Sequence, residues 1–299
     1  MRRSAVFLSL LPLVAAGVYL ALPQDPDGPP AAPSTATARS APEEAKDRAE
    51  REREQDDALI AALPPGLADP RKKELALAVV ASAEHSTTDW RSTYGVVEDR
   101  GDGCGYTAGI IGFCTGTHDL LTLVGRYTED RPGNALAPYL PALRTVDGSD
   151  SHEGLDPGFT AAWAAEARVP AFRAAQEAER DRVYFDPAVR LAKLDGLGTL
   201  GQLVYFDAMV LHSPDTDPDG FYGLRERAME RADTPAEGGA EETYLDAFLD
   251  VHRATMLSRR PDGDTSRVDT AQRRFLRAGN LDLDTPLVWE MYGERHRLP

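Results

Sequence analysis

Residues 84–119 read EHSTTDWRSTYGVVEDRGDGCGYTAGIIGFCTGTHD, and they hold the residue types best suited to chemistry in this chain. Glu84 closes an apolar, helix-patterned stretch. Asp102, Tyr106 and Thr107 follow across a loop dense in glycine. Two carboxylates on separate elements are the equipment of general acid and base catalysis. Cleaving a glycosidic bond needs one carboxylic acid to protonate the leaving oxygen. A second carboxylate lies across the ring and, in an inverting enzyme, activates water about 6.5–9.5 Å from the first. A helix end facing a loop suits that gap. The same residues also fit a plainer reading, with Glu84 a solvated helix-end residue and Asp102 a turn former between Gly101 and Gly103. Spacing alone does not choose between the two.

The elements that must position these groups can be read from caps and periodicity. Asp69 and Pro70 form an N-cap and first helical residue, opening a helix with Leu75, Val79 and Ala83 on one side and Glu84 at its C-terminal end. There the negative end of the helix dipole and partial burial should favour a protonated carboxyl. The GDGCGYTAGIIGF segment reads as loop and hairpin. Neither GK[ST] nor a dinucleotide fingerprint follows it, which argues against a phosphate loop. Thr117 can start the next helix, on which Leu120, Leu121 and Val124 turn inward and Asp119 faces the cleft. Pro170 ends or kinks an earlier helix. Residues 166–185 and 186–212 read as two long helices, the second opened by Asp186 and Pro187. Within LVYFDAMVL, Asp207 is a lone charge among core residues and requires a partner unless it is neutral. Cys104 and Cys114 bracket the hairpin, either as a disulfide, if their Cα atoms come within about 7 Å, or as two independent thiols.

Four runs, SAEHSTTDW, EDRGDGCGYTAGIIGFCTGTHD, ERDRVYFDPAV and DTSRVDTAQRRFLRAGNLDL, resemble the chitosanases of glycoside hydrolase family 46, over a region from residue 67 to the C-terminus. The resemblance implies an α+β, mostly α-helical, lysozyme-like two-lobed fold with a small β-hairpin region and a cleft between lobes. It implies endo, inverting hydrolysis of chitosan with no cofactor or metal. Glu84 would be the general acid, Asp102 the general base and Thr107 a holder of the attacking water, while Asp119 would bind a glucosamine. It also implies a buried network joining Asp207 and Arg267 to Glu84. The chain departs from the family at Cys104, commonly arginine, and at His252, which stands where the second network arginine belongs and should leave that network weaker or pH dependent.

Outside this region, residues 1–22 fit a secretory signal or an uncleaved membrane anchor, with Arg2 and Arg3 before an apolar run. Residues 23–57 are a Pro/Ala-rich linker and a charged segment that fits either a solvated helix or a disordered stretch. Residues 58–299 are the expected catalytic domain, acting as a secreted monomer. The chain's net charge of −16 repels nucleic acid and attracts polycations such as chitosan and glucosamine oligosaccharides. Asp215, Asp217, Asp219, Gly220 and Glu226 satisfy an EF-hand pattern, but Pro218 and the single copy weigh against calcium. No GxSxG, HExxH or CxxC motif is present. A muramidase-like or chitin-cleaving enzyme, and a wall protein that binds chitosan without cutting it, are the alternatives.

Overall fold

The computed structural model describes residues 41–299, so the signal or anchor segment and the Pro/Ala-rich linker lie outside the described residues. The charged segment is helical: α1 covers Ala41–Ala62. It runs without a break through position 57, where Asp56 and Asp57 pair with Arg190. Among the described residues no helix is long and apolar enough to cross a membrane. Residues Glu50–Pro299 form one compact unit.

Helix α2, Pro70–His85, begins as its sequence dictates. The Asp69 carboxylate accepts from the amides of Arg71 and Lys72, two of the donors that a helix start leaves without an intrahelical partner, and Pro70 needs no such bond. Its residues 76–83 are all buried, so α2 is wrapped on every side and does not present a single apolar face. Burial all round fixes the helix axis and so the position of Glu84.

The glycine-rich segment is a three-stranded antiparallel sheet, one strand more than a hairpin. Strands β1 (Val97–Asp99), β2 (Tyr106–Ala108) and β3 (Phe113–Cys114) lie in that order, with Thr107 opposite Glu98 on one side and Cys114 on the other. Cys104 and Cys114 are joined as a disulfide, their Cα atoms 5.9 Å apart. Helices α3 (Asp119–Asp130), α4 (Leu140–Val146), α5 (Phe159–Glu166) and α6 (Pro170–Arg180) gather around this sheet. Trp163 of α5 is fully buried and donates to the Tyr94 carbonyl at 2.9 Å, tying α5 to the chain entering β1.

The two long helices expected over residues 166–212 are broken. Pro170 separates α5 from α6, and a π turn over Asp181–Phe185 leads into α7, Asp186–Leu194. Gly196, at φ +78°, then ends α7. The amide of Leu197 bonds to the Ala192 carbonyl and that of Gly196 to Lys193, the paired closing bonds of a Schellman motif. Helix α8 (Thr199–His212) starts afresh after Gly198. It packs with α9 (Phe221–Met229), α10 (Glu241–Arg259), a π turn over Arg267–Gln272 and α11 (Arg273–Arg277). The hairpin of β4 (Leu287–Met291) and β5 (Glu294–Leu298) closes this second group. The fold is thus α+β and mostly helical, with α2 and the helix run α6 to α7 joining two packed groups of elements.

The EF-hand pattern does not form a cation loop. Asp215 caps the Asp217 amide, while the carbonyl of Asp219 accepts from Arg259 at 3.0 Å and its carboxylate lies 3.9 Å from Arg227. Among the described residues no group of three metal-ligating side chains is present.

Candidate active site

Glu84 occupies the last turn of α2, its side chain only 10 % exposed. Arg267 donates through Nη2 to Oε1, and Arg100 Nη1 lies 3.3 Å from Oε2 while its Nη2 donates to the Glu84 carbonyl at 2.8 Å. Burial pushes this carboxyl up, but the guanidinium groups of Arg267 and Arg100 outweigh it and hold the pKa below the ordinary glutamate value. The helix-dipole expectation of a protonated Glu84 is therefore corrected: in the free protein it is held as a carboxylate.

Thr107 lies on the middle strand of the sheet, buried, its hydroxyl making no hydrogen bond to another described residue. Gly112, at φ +73°, separates it from Glu84. A Cβ there would stand 2.9 Å from Thr107 Cγ2 and 3.6 Å from Glu84 Oε2, so only glycine lets strand and helix end approach. Asp102 sits on the loop between β1 and β2. Its Oδ1 accepts from the Cys104 amide at 3.1 Å, and Arg260, just past α10, lies 3.4 Å from Oδ2. The disulfide anchors the chain two residues beyond Asp102. Tyr106 points away from this group: it stacks on His152 at 3.9 Å and donates to Asp156.

Behind Glu84, Arg267 Nη1 lies 3.5 Å from Asp207 Oδ1, and Gln272 donates to Asp207 Oδ2 at 2.5 Å. The π turn makes this possible, bringing Arg267 and Gln272, five residues apart, to one carboxylate. Burial raises the Asp207 carboxyl and the charge of Glu84 adds to it, while Arg267 and Gln272 pull it back, leaving a pKa of about 6. His252 is fully buried against His212, ring centroids 4.9 Å apart, and neither ring nitrogen of either histidine is hydrogen-bonded. Burial and the charge of Arg267 lower His252 to about 3, so it is neutral and supplies no second cation to the network. Asp119 is 8 % exposed. Its oxygens accept from the Cys114 amide, the Thr117 hydroxyl and the Tyr184 hydroxyl, so in this structure it fastens the start of α3.

The sequence reading missed Arg100, Arg260 and Gln272. Arg100 stands directly before GDG, and a cation there was a legible partner for a half-buried acid. Nothing local marks Gln272, because a spacing of five belongs to a π turn, which helical periodicity does not foresee.

Residues 78–287 match the family described as Glycosyl hydrolase family 46. A chitosanase of Streptomyces sp. (strain N174) is 58 % identical over 229 residues, covering 77 % of this chain and 82 % of that protein. A chitosanase of Nocardioides sp. (strain N106) is 52 % identical over 233 residues, with 78 % and 84 % covered. Among solved structures, the co-crystal of a chitosanase with substrate superposes with a TM-score of 0.77 at 50 % identity, covering 78 % of this chain and 98 % of the other.

Proposed function

The chain belongs to glycosyl hydrolase family 46, and from that membership we propose that it is an endo-acting chitosanase that works by inversion, with Glu84 as acid and Asp102 as base. The observation that supports this reading most is a buried carboxylate held by two arginines, with Thr107 across Gly112 from it and Arg100, one of the two, standing two residues before Asp102. Glu84 protonates the glycosidic oxygen, Asp102 takes the proton of the attacking water, and Thr107 orients that water. Because Glu84 rests as a carboxylate, it must gain a proton before turnover. Arg267 is buried but Arg100 is 27 % exposed, so Arg100 is the partner that an entering sugar displaces. Its withdrawal raises the affinity of Glu84 for a proton as the leaving oxygen arrives.

The net charge of −16 gathers a polyamine, and the basic and apolar start of the chain directs export. Viscosity and chain-length analysis of digested chitosan tests the assignment. A rapid viscosity fall with mid-sized products is expected. Preferential release from peptidoglycan or chitin would favour the other hydrolases, and binding without shortening would favour a wall protein. Proton NMR of the first products should show the α-anomer, the inverted form of a β-1,4 bond; β-anomer first would exclude inversion.

A further inference from the structure

Tyr292 lies beyond the residues matched to the family and outside the motifs of the sequence. It sits with Gly293 at the turn between β4 and β5, where both residues have positive φ, +52° and +81°. A two-residue turn of this kind favours asparagine and glycine, because Cβ crowds the backbone in that region. A bulky tyrosine there is strained, and strain of this kind collects at functional positions.

The side chain is also placed unusually. Its hydroxyl donates to the carbonyl of Ala83 at 2.7 Å, one residue before Glu84, and burial of that end raises its pKa above the ordinary tyrosine value. Yet the residue as a whole is 48 % exposed. With the hydroxyl turned inward, the exposed half includes the ring. Tyr292 lines a cavity of about 240 Å³ with His212, Arg260 and Asp264. Two of the lining side chains lead toward the two carboxylates: Arg260 reaches Asp102, and the Tyr292 hydroxyl reaches the carbonyl next to Glu84. Asp264 is exposed, and one of its oxygens is taken by Ser266.

We propose that Tyr292 is a substrate platform, its ring receiving the apolar face and ammonium group of a glucosamine unit bound next to the point of cleavage, with Asp264 as the counter-charge. An aromatic face attracts an ammonium group and packs against the C–H face of a pyranose. The hydroxyl bond to Ala83 couples the platform to the helix end that carries the acid.

This rests on the chitosanase reading, and the test separates the two. Full-length wild type, Tyr292→Asn and Tyr292→Phe are compared for Tm, kcat and KM on glucosamine oligosaccharides. The asparagine suits the turn, so Tm should hold or rise while KM increases about 3- to 10-fold, the loss expected for one such ring contact. The phenylalanine keeps the ring and should retain KM within about twofold, on the same scale of ring contact. A cleaving wild type with an unaffected KM in Tyr292→Asn would overturn the platform alone. So would an equal rise in KM in both variants, since the role would then belong to the hydroxyl. A wild type that does not cleave would overturn the chitosanase reading and the platform with it.

Discussion

The protonation of Glu84 is decided by two residues far from it in sequence, Arg100 at a separation of 16 and Arg267 at 183. On the roles proposed above, Glu84→Gln removes the proton donor and keeps the shape, so turnover should fall by about 10²–10⁴-fold while oligosaccharide binding persists. Asp102→Asn should fall comparably, and Thr107→Ala by less, since its proposed part is only to orient water. Arg100 gives a sharper test. A general acid works only below its pKa, and Arg100 lowers that of Glu84, so Arg100→Gln should move the alkaline limb of kcat/KM to higher pH. A limb that stays in place would show that Arg100 does not govern the proton. At this scale the helix end that carries Glu84 and the GDG turn that carries Asp102 were legible locally, while their proposed roles came from the family resemblance and not from spacing. Their charge states were not legible, because a pKa is set by groups that only the tertiary fold assembles.

Among the elements, α2 was legible at its start, where Asp69 and Pro70 carry the instruction within a few residues. The break between α7 and α8 was not foreseen. The apolar pattern continues across it, and the left-handed backbone at Gly196 followed by the extended Gly198 interrupts the helix. The π turn holding Arg267 and Gln272 was likewise hidden, yet it carries the network behind the acid. Arg267 is buried between Glu84 and Asp207, so removing it leaves two buried carboxyls without their shared cation, and removing the Asp207 charge leaves the buried guanidinium with Glu84 alone. Arg267→Ala or Asp207→Asn should therefore destabilise the protein by about 3–5 kcal/mol as well as lowering activity. Equilibrium unfolding of each variant measures this, and wild-type stability in both would show that the pair does not hold the fold.

Charge acts over the whole molecule, and it acts in two ways. The net charge of −16 draws in a polycation through a screened field, so kcat/KM on chitosan should fall as salt rises; a rate independent of ionic strength would remove steering from the account. The second effect is on stability against pH. His252 is held neutral, with a pKa near 3 against an ordinary value of 6.5, by burial and by Arg267. A histidine that resists its proton in the folded state contributes stability above the unfolded pKa, and that contribution is lost as pH falls from 6.5 toward 3. His212, lowered for the same reason and by His252 itself, adds to the loss. Asp207 opposes it. Its pKa of about 6 means that the folded state takes up a proton more readily than the unfolded chain, so its contribution grows as pH falls below 6. Asp119, Asp186 and Glu241, raised by burial, act in the direction of Asp207, while Glu74, Glu84, His85 and Asp269, all lowered, act in the direction of the two histidines, so the contribution of His252 is isolated by comparing variants. His252→Gln removes one of the two. Between pH 7 and 4.5 the wild type should lose about 2–3 kcal/mol more stability than this variant, whatever the variant's stability at pH 7. Denaturant unfolding at both pH values gives the difference, and parallel losses would mean that His252 is not the group that titrates against the fold.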